Sequence, residues 1–212
     1  MIVIELSPKN LLKSARNLAP PGTRRKQGIS MNTSNIEIRP AIVSDARRLN
    51  DYVRTIFATS QHLITLPEEY RTGPFRQRFW IAGKATNPYE ICLLAVSGKE
   101  IVGMIDSWTD RRARVKHVTT FAMSVHPDWR KQGIGEHLLG SFLGWVRENK
   151  RLEKVELHVH ADNKAALSLY ERLGFKTEGR REQAIRYGKN HFVDDILMAY
   201  WPNSSNVENS KI

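Results

Sequence analysis

Arg130-Lys131-Gln132-Gly133-Ile134-Gly135 is the stretch in this chain of 212 residues best suited to hold a charged ligand. Two glycines separated by one residue let a ligand approach the backbone, and two cations precede them. Phe121 to Val125 reads as a strand that stops at Pro127, which has no backbone donor. From Ile134 onward Leu138, Phe142 and Val146 recur every fourth residue, with Leu139 and Leu143 beside them, which is a helical stripe. The glycines therefore fall where a helix begins and its first N–H groups lack partners. That is an anion site for a phosphate or pyrophosphate, with Arg130 and Lys131 adding positive charge.

The dinucleotide fingerprint G-x-G-x-x-G and the nucleotide P-loop G-x-x-x-x-G-K-[ST] are both absent. The spacing [RQ]-x-x-G-x-G after a strand ending in Val-x-Pro resembles the acetyl-CoA pyrophosphate loop of the GNAT N-acetyltransferases. Taken alone, six residues also fit a glycine-softened turn. A second stretch breaks the tie. Leu157, Val159, Asn163, Ala166, Leu169, Tyr170, Gly174 and Phe175 fit L-x-V-x-x-x-N-x-x-A-x-x-L-Y-x-x-x-G-F, which is similar to the second GNAT signature. The closing segment Ala184 to Met198 resembles the C-terminal hairpin of GNATs that acylate amino acids and related small amines.

The resemblance implies roles residue by residue. Backbone N–H groups of Gln132, Gly133, Ile134 and Gly135 would hold the pyrophosphate beside Arg130 and Lys131. Met123, Ser124 and Val125, on a splayed strand edge, would line the pantetheine arm. Asn163 matches a cofactor-side Asn, and equally well a plain helix cap. Tyr170 matches the general acid that protonates the departing thiolate, since a phenol of ordinary pKa about 10 can give a proton to a thiol of about 8.5. The other role open to Tyr170 is a core aromatic in register with Ala166 and Leu173.

A protonated amine must lose a proton before it attacks, so a base is needed. Many relatives carry a carboxylate on the strand before the loop, where this chain reads His117-Val118-Thr119-Thr120-Phe121. His117 is the substitute expected from the sequence, with Glu69 and Asp106 as alternatives. His158 and His160 alternate with Val155, Leu157 and Val159 and so share the opposite face of their strand. Two histidines without a third ligand make a poor metal site, and no metal is expected.

The elements that must position these residues follow from periodicity. Ile36 to Pro40 reads as a strand, and Ser44-Asp45 as a cap for a helix carrying Ala46, Leu49, Val53, Ile56 and Phe57 on one face. A helix around Phe75 to Ile81 places Phe75 and Phe79 four apart. Strands follow at Ile91 to Val96 and Ile101 to Trp108, with a turn at Ser97-Gly98-Lys99-Glu100, then a strand from His117 to Val125. After the central helix come a strand at Val155 to His160, a short helix ended by Gly174, and a hairpin with strands at Glu182 to Tyr187 and His191 to Trp201. The fold class is α/β (α+β): a mixed, mainly antiparallel sheet flanked by helices, in the order a GNAT fold requires.

Composition bounds the rest. Hydrophobic residues make up 41% and charged residues 26%, ordinary for a globular protein. The single cysteine, Cys92, lies in an apolar run, which excludes a disulfide framework and fits a reducing compartment. No apolar run approaches the roughly 20 residues that span a bilayer, and the apolar start is short for a signal peptide. We therefore expect a cytoplasmic enzyme with a basic extension at 1–34, one catalytic domain at 35–202 and a polar tail at 203–212. Met31 reads as a candidate alternative start. The net charge of +11 is concentrated in that extension and at Arg111-Arg112-Arg114-Lys116, Arg130-Lys131 and Arg180-Arg181, without a nucleic-acid recognition motif. The resemblance implies an acetyl-CoA-dependent N-acetyltransferase acting on a primary amine, an amino acid or similar small molecule. Protein N-terminal or lysine acetylation is the alternative, a non-catalytic acyl-CoA- or nucleic-acid-binding module a further one, and a homodimer is left open.

Overall fold

Alternating apolar residues set the strands in a computed structural model that describes residues 36–203. The extension at 1–34, the start at Met31 and the tail beyond 203 lie outside the described residues. The strands are β1 (Ile36–Pro40), β2 (Cys92–Ser97), β3 (Glu100–Thr109), β4 (Val118–Val125), β5 (Lys154–His160), β6 (Lys176–Gly188) and β7 (His191–Tyr200). The helices are α1 (Ala46–Thr59), α2 (Pro74–Thr86), α3 (Ile134–Glu148) and α4 (Lys164–Arg172). One sheet runs in the order β1-β2-β3-β4-β5-β7-β6.

Every neighbouring pair is antiparallel except β4 and β5. Those two run parallel and pair only at Val118↔Lys154, Thr119↔Val155 and Thr120↔Glu156. Beyond Thr120 they diverge. β4 stays bonded to β3 as far as Val125↔Gly103, and β5 to β7 as far as His160↔Asp195. The sheet is thus split by a V-shaped gap whose edges are Phe121 to Val125 and Leu157 to His160.

Two cores flank the sheet. On one face Leu138, Leu139, Phe142, Leu143 and Val146 of α3 pack with Tyr170 of α4 against Phe121, Val155, Leu157 and Val159. On the other, Leu49, Val53, Ile56 and Phe57 of α1 and Ile81 of α2 pack against Cys92, Leu94 and Met104. Alternation along β5 therefore turns His158 and His160 away from the α3–α4 core, as their spacing predicts.

Two local expectations are revised. Asp45 makes no side-chain cap to α1. It is wholly buried, and its carboxylate instead accepts from Arg39 Nη1 (2.7 Å) and Nη2 (2.9 Å), from Arg48 Nη2 (2.5 Å) and from the Ile42 N–H (3.0 Å). A buried carboxylate gains more from two guanidinium groups than from a helix end. Phe75 and Phe79 lie on α2 as their spacing predicts and pair edge-to-face, 72% and 65% exposed, while Gln77 and Ile81 face inward. Finally, β6 is one long strand with breaks in register between Thr177 and Gly179, between Arg181 and Ile185 and between Arg186 and Gly188. Gln183 sits in the second break at φ 50°, its N–H held by Asp194 Oδ1 at 2.7 Å.

Candidate active site

The gap between β4 and β5 opens toward the glycine loop. After β4 a short turn at Pro127–Trp129 leads to Lys131 at φ 61° and Gly133 at φ 77°, and α3 begins at Ile134. These left-handed residues curl the chain so that successive N–H groups converge, as in an anion-binding nest. The first helical bond in this turn runs from His137 N–H to Gly133 O (3.0 Å), so the N–H groups of Ile134, Gly135 and Glu136 have no helical acceptor. A Cβ on Gly135 would lie 3.5 Å from Leu169 of α4 and 3.7 Å from Met123 of β4. The glycine therefore faces the crevice where α3, α4 and β4 meet. Backbone donors and a helix N-terminus beside the gap together suit a pyrophosphate with an extended arm behind it.

The arm would run along β4. The His126 N–H bonds Val102 O (2.9 Å), so even-numbered residues at this end of β4 turn their main chain toward β3. Met123 and Val125, by alternation, turn theirs into the gap. Arg130 donates from Nε to Val125 O (3.2 Å), tying the loop to the strand end. Ser124 faces away from the crevice. Its hydroxyl lies 2.9 Å from that of Tyr52, a buried residue of α1, on the opposite side of the sheet.

Tyr170 stands at the inner end of the crevice. Its ring packs edge-on against Phe121 (5.9 Å between centroids) and tilted against Phe175 (5.7 Å), and only 6% of the residue is exposed. Burial pushes its phenol up from the ordinary value, so it keeps its proton. No hydrogen bond within the described residues engages its hydroxyl. Asn163 caps α4, accepting from the Ala166 N–H at 3.2 Å, which is the cap role anticipated as one of its two readings.

The opposite face of the gap carries groups that the sequence did not connect. His158 Nδ1 lies 2.7 Å from Asp195 Oδ2, and Arg181 Nη1 reaches the same oxygen at 3.1 Å. Asp195 is 1% exposed, and its Oδ1 is buried with no hydrogen-bond partner among the described residues. Two residues on, His160 is fully buried. Its Nδ1 meets the Tyr187 hydroxyl at 2.5 Å, and its Nε2 has no hydrogen-bond partner among the described residues. Burial lowers His160 to about 4, so the ring is neutral at physiological pH. Tyr187 reaches Asp162 (3.4 Å), and His62, from the α1–α2 connection, approaches the same carboxylate at 3.6 Å. The only sequence signal here was the alternation on β5, because Asp195 and Tyr187 come from a hairpin far along the chain.

His117 is not part of this assembly. It precedes the first bonded pair, Val118↔Lys154, at the closed end of the V. Six residues of extended strand, about 20 Å, separate it from Met123. Its carbonyl instead accepts the Glu153 and Lys154 N–H groups, closing the start of β5. Neither alternative replaces it. Glu69 is exposed and accepts the Leu66 N–H (2.8 Å) in its own turn. Asp106 is 4% exposed with Lys84 Nζ 3.1 Å away, and burial raises it to about 7. Among the described residues no group of three His, Cys, Asp or Glu side chains is placed to hold a metal.

A family model described as the acetyltransferase (GNAT) family matches residues 53–175. An L-amino acid N-acetyltransferase of Escherichia coli (strain K12) is 29% identical over 121 residues, 57% of this chain and 74% of that protein. The N-alpha-acetyltransferase 30 of Xenopus laevis is 34% identical over 113 residues, 53% of this chain but only 40% of its own length. Among solved structures, a GNAT-family acetyltransferase from Streptococcus pneumoniae superposes with a TM-score of 0.76 at 24% identity, covering 79% of this chain and 99% of the other. An acetyltransferase from Salmonella typhimurium, solved with acetyl-CoA, gives 0.71 at 14% identity, covering 84% and 100%. At these identities the structural likenesses speak for the fold.

Proposed function

Because the chain belongs to the acetyltransferase (GNAT) family, whose members draw on acetyl-CoA, we propose that it transfers an acetyl group to the primary amine of an amino acid or a similar small molecule. One observation carries the choice of a small acceptor. On the face of the sheet opposite the phosphate loop's helix, His62 reaches from the α1–α2 connection to Asp162 (3.6 Å), and its ring stands edge-on to His160 at 5.9 Å. The contact bridges the mouth of the gap. The connection itself is fixed, since Asn50 donates to the Tyr70 hydroxyl (3.1 Å) and to Thr72 O (2.8 Å). A bridged mouth with an anchored wall suits a small molecule better than a polypeptide, and the Escherichia coli relative is named for L-amino acids.

Acetyl-CoA supplies an acetyl group activated as a thioester. The N–H groups of Ile134 and Gly135, with Arg130 and Lys131, are the residues that would bind its pyrophosphate. The main chain of Met123 and Val125 would hold the arm against the strand edge. His158 would serve as the base, its ring oriented by Asp195 as a carboxylate behind a catalytic histidine orients it. It would draw a proton from an acceptor ammonium of ordinary pKa near 10. Tyr170, protonated and at the buried end of the crevice, would offer its hydroxyl to the departing sulfur. Because burial raises its pKa, full transfer to a thiolate is uphill, and hydrogen bonding to the developing charge is its larger contribution.

The N-alpha-acetyltransferase 30 relative keeps a second reading, acetylation of a protein N-terminus. Thiol release from acetyl-CoA, measured against amino acids, polyamines, aminoglycosides and short peptides, separates the two. Turnover with free amino acids is expected. Turnover confined to peptides overturns the small-acceptor reading, and failure to bind acetyl-CoA overturns the transferase assignment.

A further inference from the structure

At the opposite end of the sheet from the glycine loop lies a groove of about 870 Å³. Phe79, Trp80, Tyr89 and Trp108 supply aromatic walls, and Arg111, Lys116 and Arg151 stand among them. The four rings come from α2, the loop before β2 and the end of β3. The three cations come from the loop before β4 and the turn after α3.

This groove is held in shape by the fold. Thr109 Oγ1 donates to Tyr89 O (2.8 Å), and Asn149 Nδ2 donates to Pro88 O (2.7 Å). The Lys84–Glu90 ion pair (3.0 Å) pins α2 to the same loop. Arg151 lies over the Tyr89 ring at 3.7 Å and donates to Lys116 O (3.2 Å), so one guanidinium links the aromatic wall to the basic loop. The neighbouring Arg112 is satisfied by Asp110. Among the described residues, Arg111, Lys116 and Arg151 have no carboxylate within ion-pair distance. Lys84 and Glu90 also line the groove but pair with each other, so the three remaining like charges around the aromatic trough favour an anion that carries a flat ring.

We propose that this groove is a second binding site and takes a nucleotide unit, with its base stacked among the aromatic rings and its phosphate at Arg111 and Lys116. Stacking on aromatic side chains combined with a cationic track is how proteins hold single-stranded nucleic acid with little sequence preference. A free mononucleotide presents the same chemistry as one unit of a strand. The site is independent of the acetyl-transfer reading, since none of its residues belongs to the gap between β4 and β5.

The test uses the full chain without coenzyme A, itself a nucleotide that would compete for the groove, and a variant confined to the groove separates binding there from binding at the phosphate loop. Tryptophan fluorescence is followed while AMP, a ten-nucleotide uridine RNA or a ten-residue polyglutamate peptide is added. The RNA or AMP is expected to bind, more weakly as salt rises. Affinity is expected to fall at least tenfold in the exposed double variant Arg111→Ala, Lys116→Ala. Binding of RNA alone identifies a strand as the ligand, whereas equal binding of AMP identifies a free nucleotide. The proposal is overturned if neither nucleotide probe binds, if the double variant binds as tightly as the parent, or if polyglutamate binds as well as both.

Discussion

His158 Nδ1 and Asp195 Oδ2 meet at 2.7 Å although 37 residues separate them in the chain. The contact crosses diagonally from β5 to β7: Asp195 belongs to the last pair in their ladder, His160↔Asp195, and His158 lies two residues before His160. It joins the strand that edges the gap to the hairpin behind it. Asp195 is almost wholly buried, and Arg181 shares its oxygen, so the carboxylate is fixed before any acceptor arrives. A carboxylate on Nδ1 selects the tautomer whose lone pair is on Nε2.

Removing that base should leave cofactor binding intact. His158→Ala is expected to lower kcat by about 10²- to 10⁴-fold, the usual range for a general base, with the KM for acetyl-CoA unchanged. The variant's residual rate should climb about tenfold per pH unit below the acceptor's pKa, because only the neutral amine then reacts. A steady-state pH profile checks this, and an unchanged kcat removes His158 from the mechanism.

Tyr170→Phe deletes one oxygen from a residue that is otherwise core. Calorimetry should find acetyl-CoA binding at parental affinity, and thermal unfolding should shift little, since no described residue hydrogen-bonds the hydroxyl. Turnover is expected to fall about 10²-fold, the effect of losing one donor to developing charge. Parental turnover would reduce Tyr170 to a packing residue beside Phe121 and Phe175.

Gly135→Ala separates folding from binding. Its Cβ would make ordinary contacts with Leu169 and Met123, and alanine is favoured over glycine within a helix by roughly 0.5–1 kcal/mol. The variant should therefore unfold at or above the parental temperature. The same methyl would enter the crevice, so the acetyl-CoA KM is expected to rise about tenfold or more. A parental KM would move the cofactor's path elsewhere.

Asp45 sets an acid limit on stability. Arg39 and the other donors hold its carboxyl down at about 2, despite burial. Between about pH 4 and 2 the unfolded chain binds a proton that the folded chain does not, so this contribution is complete above about pH 4 and lost as pH falls toward 2. Asp45→Asn should cost about 2 kcal/mol at neutral pH, less than for a sealed pair because Arg39 and Arg48 both reach solvent. Denaturant titrations from pH 7 to 2 should show the parent converging on the variant.

The amino-acid sequence by itself determined the local parts. The glycine loop, the helix N-terminus at Ile134 and the burial of Tyr170 each depend on residues within a few positions of one another, which spacing and periodicity report directly. The same holds for the shared face of His158 and His160, because alternation along one strand needs no partner. Only the tertiary structure decided what those faces meet. The sequence pointed to His117 because it starts the right strand, but parallel pairing places it at the closed end of the V. Asp195 and Tyr187 reach the histidines through a hairpin whose bulge at Gln183 no local pattern announced. The aromatic groove gathers rings and cations from five separate segments. Contacts between residues distant in sequence depend on strand order and register, and those are set by the packing of whole faces rather than by any motif.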